Sequence, residues 1–137
     1  MTPHGHRMLL RAAVAAGGVV PVGAGLTGVL IGPAMLQGMP PLDALPLESH
    51  YRYLSGLLLA IGLGFWSTLR DIDQQGERFR LLTAIVVAGG VGRLLGLVVV
   101  EPPDVGMMFG LGMELVVTPL LCLWQGAVAR ISQREEG

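Results

Sequence analysis

Residues 81–100 read LLTAIVVAGGVGRLLGLVVV, with Arg93 as their one charge, and residues 107–124 read MMFGLGMELVVTPLLCLW, with Glu114 as theirs. An apolar helix of about 20 residues is long enough to cross a bilayer. A charge inside such a helix is expensive unless it finds a partner. Two charges of opposite sign in consecutive segments therefore restrict the chain severely: the segments have to pack together with the charges at one level, facing inward.

Composition agrees with a chain that lives in lipid. Of 137 residues 52% are hydrophobic and 14% charged, with 21 glycines, no lysine and a net charge of -1. The length suffices for four spans joined by short connections and leaves no room for a soluble domain. A nucleic-acid partner is excluded, because no basic patch exists to attract phosphates. Cys122 is the one cysteine. It rules out an intramolecular disulfide and reads as a small buried hydrophobe. There is no zinc or haem spacing, no nucleotide loop and no Ser/His/Asp set. His4 and His6 belong to an N-terminal end rather than to a metal site, and no cofactor is implied.

The first apolar run, about residues 9–35, follows Arg7 and Arg11 and reads as an uncleaved signal anchor. Gly25, Gly28 and Gly32 fall on one side of it, where another backbone can come close. Pro21 is expected to bend it, and Gly32-Pro33 to end it. Pro40, Pro41 and Pro46 make the next segment an irregular loop. A second span, about 50–69, opens with Glu48 and Arg52 in the favourable acidic-first spacing of four. Tyr51, Tyr53, Phe65 and Trp66 are expected at headgroup level. Gly56, Ala60 and Gly64 form the expected packing stripe of this span. The connection RDIDQQGERFR, residues 70–80, is a polar turn in which Asp71 and Asp73 read as a solvated face flanked by arginines rather than as a cation site.

The third and fourth spans, about 81–100 and 107–128, carry the two charges. Gly89 and Gly96 share a helical face with Arg93 and leave room for a neighbouring helix. The loop EPPDVG (Glu101 to Gly106) forces a hairpin. It puts Arg93 and Glu114 at one depth, roughly 12 Å below the outer boundary. Arg52 enters from the same side, so Glu48, Arg52, Arg93 and Glu114 are expected to converge as a polar cluster with cancelling charges. His50, Tyr51 and Thr118 are candidates for a supporting shell. Pro119 removes a backbone donor and leaves the carbonyl of Leu115 without its usual partner.

Arginines precede the first span (Arg7, Arg11), separate the second from the third (Arg70, Arg78, Arg80) and follow the fourth (Arg130, Arg134). The positive-inside rule then places both termini and the middle loop in the cytoplasm. The expected fold is all-α: one transmembrane domain over residues 1–137, a polytopic up-down-up-down four-helix bundle in the inner membrane of a bacterium.

Several pieces occur here in a set order: Val20-Pro21, Gly25-Leu26 and Gly32-Pro33; Glu48-x-x-x-Arg52 leading to Leu54-x-Gly56; Arg70-Asp71-Ile72; Gly92-Arg93-Leu94-Leu95; and Glu114-Leu115-Val116 with Pro119. In these the chain resembles the bacterial membrane family catalogued as domain of unknown function number four-three-four-five, over nearly its whole length. His50 and Tyr51 depart from the pattern but keep its spacing. The resemblance implies a small four-span protein in which the two glutamates and two arginines are a family feature, and it brings no activity, substrate or cofactor.

Three functions remain open on the residues alone. The cluster can bind a small amphiphile, lipid headgroup or quinone, with Arg52 and Arg93 as donors and Glu114 as counter-ion. The chain can be an accessory subunit, packing its glycine faces against a second copy or a larger membrane complex. It can be a membrane enzyme with Glu114 as general acid or base, although an enzyme is the weakest of the three. Beside all of them stands a purely structural use of the pairs, to decide which helix packs beside which.

Overall fold

The computed structural model describes residues 2–36, 45–99 and 104–135. Among the described residues every regular element is helical. Helix α1 (Pro3–Ile31) ends in a single 3-10 turn (Gly32–Met35), followed by α2 (Leu45–Ser67) and α3 (Gly76–Val99). Helix α4 (Val105–Gly112) continues through a π-helical turn (Met113–Val117) into α5 (Thr118–Glu135), making a fourth long rod. The prolines and the acid of the first connection, Pro40, Pro41 and Asp43, lie outside the described residues, as do Glu101 to Pro103 of the expected hairpin loop.

Three of the rods are long and apolar enough to cross a membrane: His4–Met35 with 32 residues, Gly76–Val99 with 24 and Val105–Arg134 with 30. The second, α2, has 23 residues but a polar opening, because Glu48, His50 and Arg52 occupy its first turns. It also begins earlier than the proline pattern suggests. Pro46 stands in its first turn, where the missing N–H would have had no intrahelical partner. Helix α3 likewise takes in residues of the polar connection, starting at Gly76 with Glu77 in its first turn. A carboxylate there offsets the positive end of the helix dipole.

The chain divides into two compact units, one of Ala13–Ser67 and one of Met1–Ala12 with Thr68–Gly137. In the first, α1 and α2 lie against each other in opposite directions, with Gly18 under Trp66, Gly25 against Ser55 and Leu59, and Gly28 against Ser55. A Cβ at Gly25 would stand 2.5 Å from the backbone nitrogen of Leu59 and 2.8 Å from the carbonyl of Ser55. Gly25 and Gly28 thus work as the sequence pattern suggests.

On α2 the contact line is Ser55, Leu59 and Gly62, not the expected Gly56, Ala60 and Gly64. A Cβ at Gly56 would meet Val29 at 3.8 Å, an ordinary contact, and Ala60 is exposed. One residue of rotation, about 100°, separates the two lines, and spacing alone does not choose between them. Trp66, expected at headgroup level, is turned onto α1, where its Nε1 donates to the carbonyl of Ala15 at 3.1 Å.

In the second unit, α3 runs antiparallel to the α4–α5 rod: Gly76 lies beside Gln125, Gly90 beside Leu115 and Glu114, and Arg93 beside Gly110. Its closed core sits at the end that carries the 70–80 connection, where Leu10, Ile72, Phe79 and Val128 are buried. Polar groups tie that end together. The amide of Gln125, itself buried, donates to the carbonyl of Ile72 at 2.8 Å. Arg7 pairs with Asp73 at 2.9 Å and donates to Ser132 at 2.9 Å. Arg11 donates to the carbonyl of Arg70.

Asp73 is therefore not the solvated carboxylate expected from its surroundings: its side chain is 8% exposed. Arginine from the start of α1 reaches it, a contact between residues far apart in sequence. At the other end of this unit, Leu95, Val98, Val99 and Val105 stand exposed. Such a surface needs no protein cover where acyl chains supply it. Gln125→Leu should remove the donor to Ile72 and lower stability by about 1–3 kcal/mol. Thermal unfolding of the variant in mild detergent reads the loss.

Candidate functional site

Arg93 and Glu114 meet. The Nε of Arg93 donates to Oε2 of Glu114 at 2.9 Å and Nη2 donates to Oε1 at 2.9 Å. Two parallel charge-assisted bonds make the fork-to-carboxylate arrangement, which fixes direction as well as distance. Small residues on both helices allow it. A Cβ at Gly90 would lie 2.9 Å from the Cβ of Glu114 and 2.7 Å from a methyl of Leu115, so a larger residue would push the rods apart. A Cβ at Gly110 would lie 3.5 Å from the central carbon of the guanidinium, so the Arg93 fork is laid across that glycine.

Glu114 projects from the π-helical turn. Pro119 explains why the turn widens here: its ring clashes with the carbonyl of the residue four before it, and it has no N–H to give. The N–H of Thr118 reaches back five residues to the carbonyl of Met113, and the Thr118 hydroxyl donates to the same oxygen at 2.7 Å. π turns of this kind recur at functional sites. The hydroxyl of Thr118, a candidate for the supporting shell, is thus engaged with the backbone of its own helix.

The pair is only partly covered. The side chain of Arg93 is 39% exposed and that of Glu114 19%. The glycines expected to admit a neighbouring helix behave unequally. Gly90 receives the other rod, whereas Cβ positions at Gly89, Gly92 and Gly96 meet nothing within 4 Å. Gly89 and Gly96 lie one helical turn to either side of Arg93, so the arginine stands in an open trough on α3.

Glu48 and Arg52 also pair, at 3.0 Å, within the other unit. Their geometry differs in kind. Nη1 of Arg52 donates to the carbonyls of Val29 at 2.6 Å and Leu30 at 3.2 Å, while Nε and Nη2 donate to Glu48 at 3.3 and 3.0 Å. The guanidinium closes the C-terminal end of α1, where carbonyls lack helical donors and the helix dipole favours a cation. Gly32 makes the space. Its φ of +73° is open to glycine and reverses the chain, and a Cβ there would meet Nη2 of Arg52 at 2.9 Å.

Every nitrogen of Arg52 has a partner. His50 is exposed and Tyr51 half-buried beside this cap, and the Tyr51 carbonyl accepts the hydroxyl of Ser55 at 2.8 Å. Arg52→Lys keeps the charge but loses the fork, and should cost about 1–2 kcal/mol. Thermal melting of this variant beside Arg52→Ala separates geometry from charge.

Two features of the unit that holds Arg93 have no counterpart in the sequence expectations. The signal for Gln125 was present, a lone amide inside LLCLWQGAV. The π turn had a partial signal in Pro119, since a missing donor announces a disturbed helix but not its register. Among curated proteins and among solved structures, nothing matches the chain. The model of the family described as Domain of unknown function (DUF4345) matches residues 9–125, which include both acid–base pairs and the π turn. This chain belongs to that family.

Proposed function

We propose that the protein is an inner-membrane four-helix bundle, up-down-up-down with both termini cytoplasmic, that binds the polar end of a small amphiphile or lipid at Arg93 and Glu114. The arginines at residues 7, 11, 70, 78, 80, 130 and 134 support that orientation by their distribution. One observation carries the binding reading: a bidentate ion pair, on helices of membrane length, whose guanidinium is 39% exposed beside the trough at Gly89 and Gly96. A pair that served packing alone would be better covered, because every uncovered charge in lipid is a cost. Arg52 contributes to α1 rather than to the ligand in this reading, since its donors are engaged.

Gly96→Leu tests it by filling the trough without touching the ion pair. Protein purified in mild detergent should carry a bound amphiphile, seen by native mass spectrometry, and the variant should carry about tenfold less. Equal retention by the two proteins would sink the reading. A second use, as an oligomer or a subunit of a membrane complex, draws support from the same exposed glycines of α3. The glycines of α1 no longer speak for it, because Gly25 and Gly28 already receive α2. Native mass spectra showing monomers alone would dispose of that use. As a general base Glu114 is poorly placed, with both carboxylate oxygens held by Arg93.

A further inference from the structure

The π turn leaves one backbone oxygen in the site without a helical donor. Two N–H groups could reach the carbonyl of Glu114, those four and five residues on. Thr118 gives its N–H to Met113, and Pro119 has none. An acceptor without a donor at membrane depth costs free energy unless a ligand, water or side chain supplies one. On the opposite side of the ion pair, Nη1 of Arg93 makes no hydrogen bond to a described residue, because only Nε and Nη2 engage Glu114. The site thus offers a cationic donor at one edge and an acceptor, next to a carboxylate, at the other.

We infer that the ligand of this site is a zwitterionic amphiphile that bears an N–H ammonium and an anionic group, the chemistry of an aminophospholipid headgroup. The inference rests on the amphiphile-binding reading given above. Its anionic oxygens meet Nη1 of Arg93, and its ammonium donates to the Glu114 carbonyl and leans on the Glu114 carboxylate. Charge decides between ligand classes. Arg93 and Glu114 together are neutral, so a zwitterion keeps the occupied site neutral, whereas an anionic headgroup would leave a net negative charge in a medium that penalises it. A neutral ligand with acceptors only, such as a quinone, would leave the Glu114 carbonyl unsatisfied. A choline headgroup balances charge but has no N–H to donate.

The test uses the wild-type chain and four lipids with identical acyl chains: phosphatidylethanolamine, its N,N-dimethyl derivative, phosphatidylcholine and phosphatidylglycerol. Each is titrated onto delipidated protein in mild detergent and scored by native mass spectrometry. Phosphatidylethanolamine and the dimethyl lipid, which both keep an N–H, should bind about tenfold more tightly than phosphatidylcholine, the size of one lost charge-assisted hydrogen bond. Phosphatidylglycerol should be no better than phosphatidylcholine.

Equal binding of phosphatidylethanolamine and phosphatidylcholine would overturn the role of the carbonyl. A preference for phosphatidylglycerol would overturn the zwitterion and make this an anion site, leaving the binding reading intact. Both would fall together if no lipid bound wild type above Gly96→Leu.

Discussion

Glu114→Ala should leave the chain largely unfolded or aggregated when extracted, while Arg93→Ala together with Glu114→Ala should recover a folded protein. Removing the carboxylate strands the guanidinium among apolar side chains on helices of membrane length, at a cost of about 3–5 kcal/mol. That is a large part of the stability of a chain this size. Removing both charges takes away the attraction and the burial cost together, so the two losses do not add. Size-exclusion profiles and melting curves of the two single variants and the double variant measure the coupling.

The folded double variant then separates structure from function. If the pair only decides helix pairing, the double variant matches wild type in every assay. If the pair binds an amphiphile, the double variant folds and retains none. Equal instability of all three variants would mean that the ion pair does not govern the fold.

Gly25→Leu should be the most damaging single change in the unit formed by Ala13–Ser67. A Cβ at this position would come within 2.8 Å of the Leu59 Cα and the Ser55 carbonyl, and both belong to backbone that cannot turn aside. The helices have to separate, and the loss should exceed the 1–3 kcal/mol or so typical of overpacking a core that can adjust. The contacts of Gly28 with Ser55 and of Gly62 with Val22 would open with it, because they lie along the same seam.

Gly23→Ala provides the comparison. Nothing lies within 4 Å of its Cβ position, so the better helix former should raise stability by up to about 1 kcal/mol. Thermal unfolding in one detergent, with both variants side by side, reads the contrast. Similar melting of the two would show that this seam does not hold the unit together.

Most of the architecture was legible because lipid imposes few choices. Long apolar runs have to be helices, since their backbone groups can bond nowhere else. The meeting of Arg93 with Glu114 followed from charge, order and a short connection. The end of α1 at Gly32-Pro33 and the spacing of Glu48 and Arg52 were legible too. What Arg52 does was not: its fork points at Val29 and Leu30, residues separated from it by the whole first connection.

The same limit applied to Asp73, whose partner Arg7 comes from the other end of the chain order. The glycine faces show a third form of it. Spacing identified Gly89 and Gly96 as small residues on the Arg93 face, but Gly90, one position away, is the one that receives the neighbouring rod.

Sequence by itself therefore determined the helices, their apolar character and the necessity that two opposite charges in adjoining segments find each other, all consequences of covalent order and the cost of bare charge in hydrocarbon. Tertiary structure alone decided which side of each helix touches which, that Arg52 caps α1 while Arg93 stays partly open, and that Pro119 is absorbed by a wide turn under Glu114. The reason is rotational. A step of one residue turns a helical face by about 100°, and only packing against a particular neighbour selects among the faces that spacing leaves equivalent.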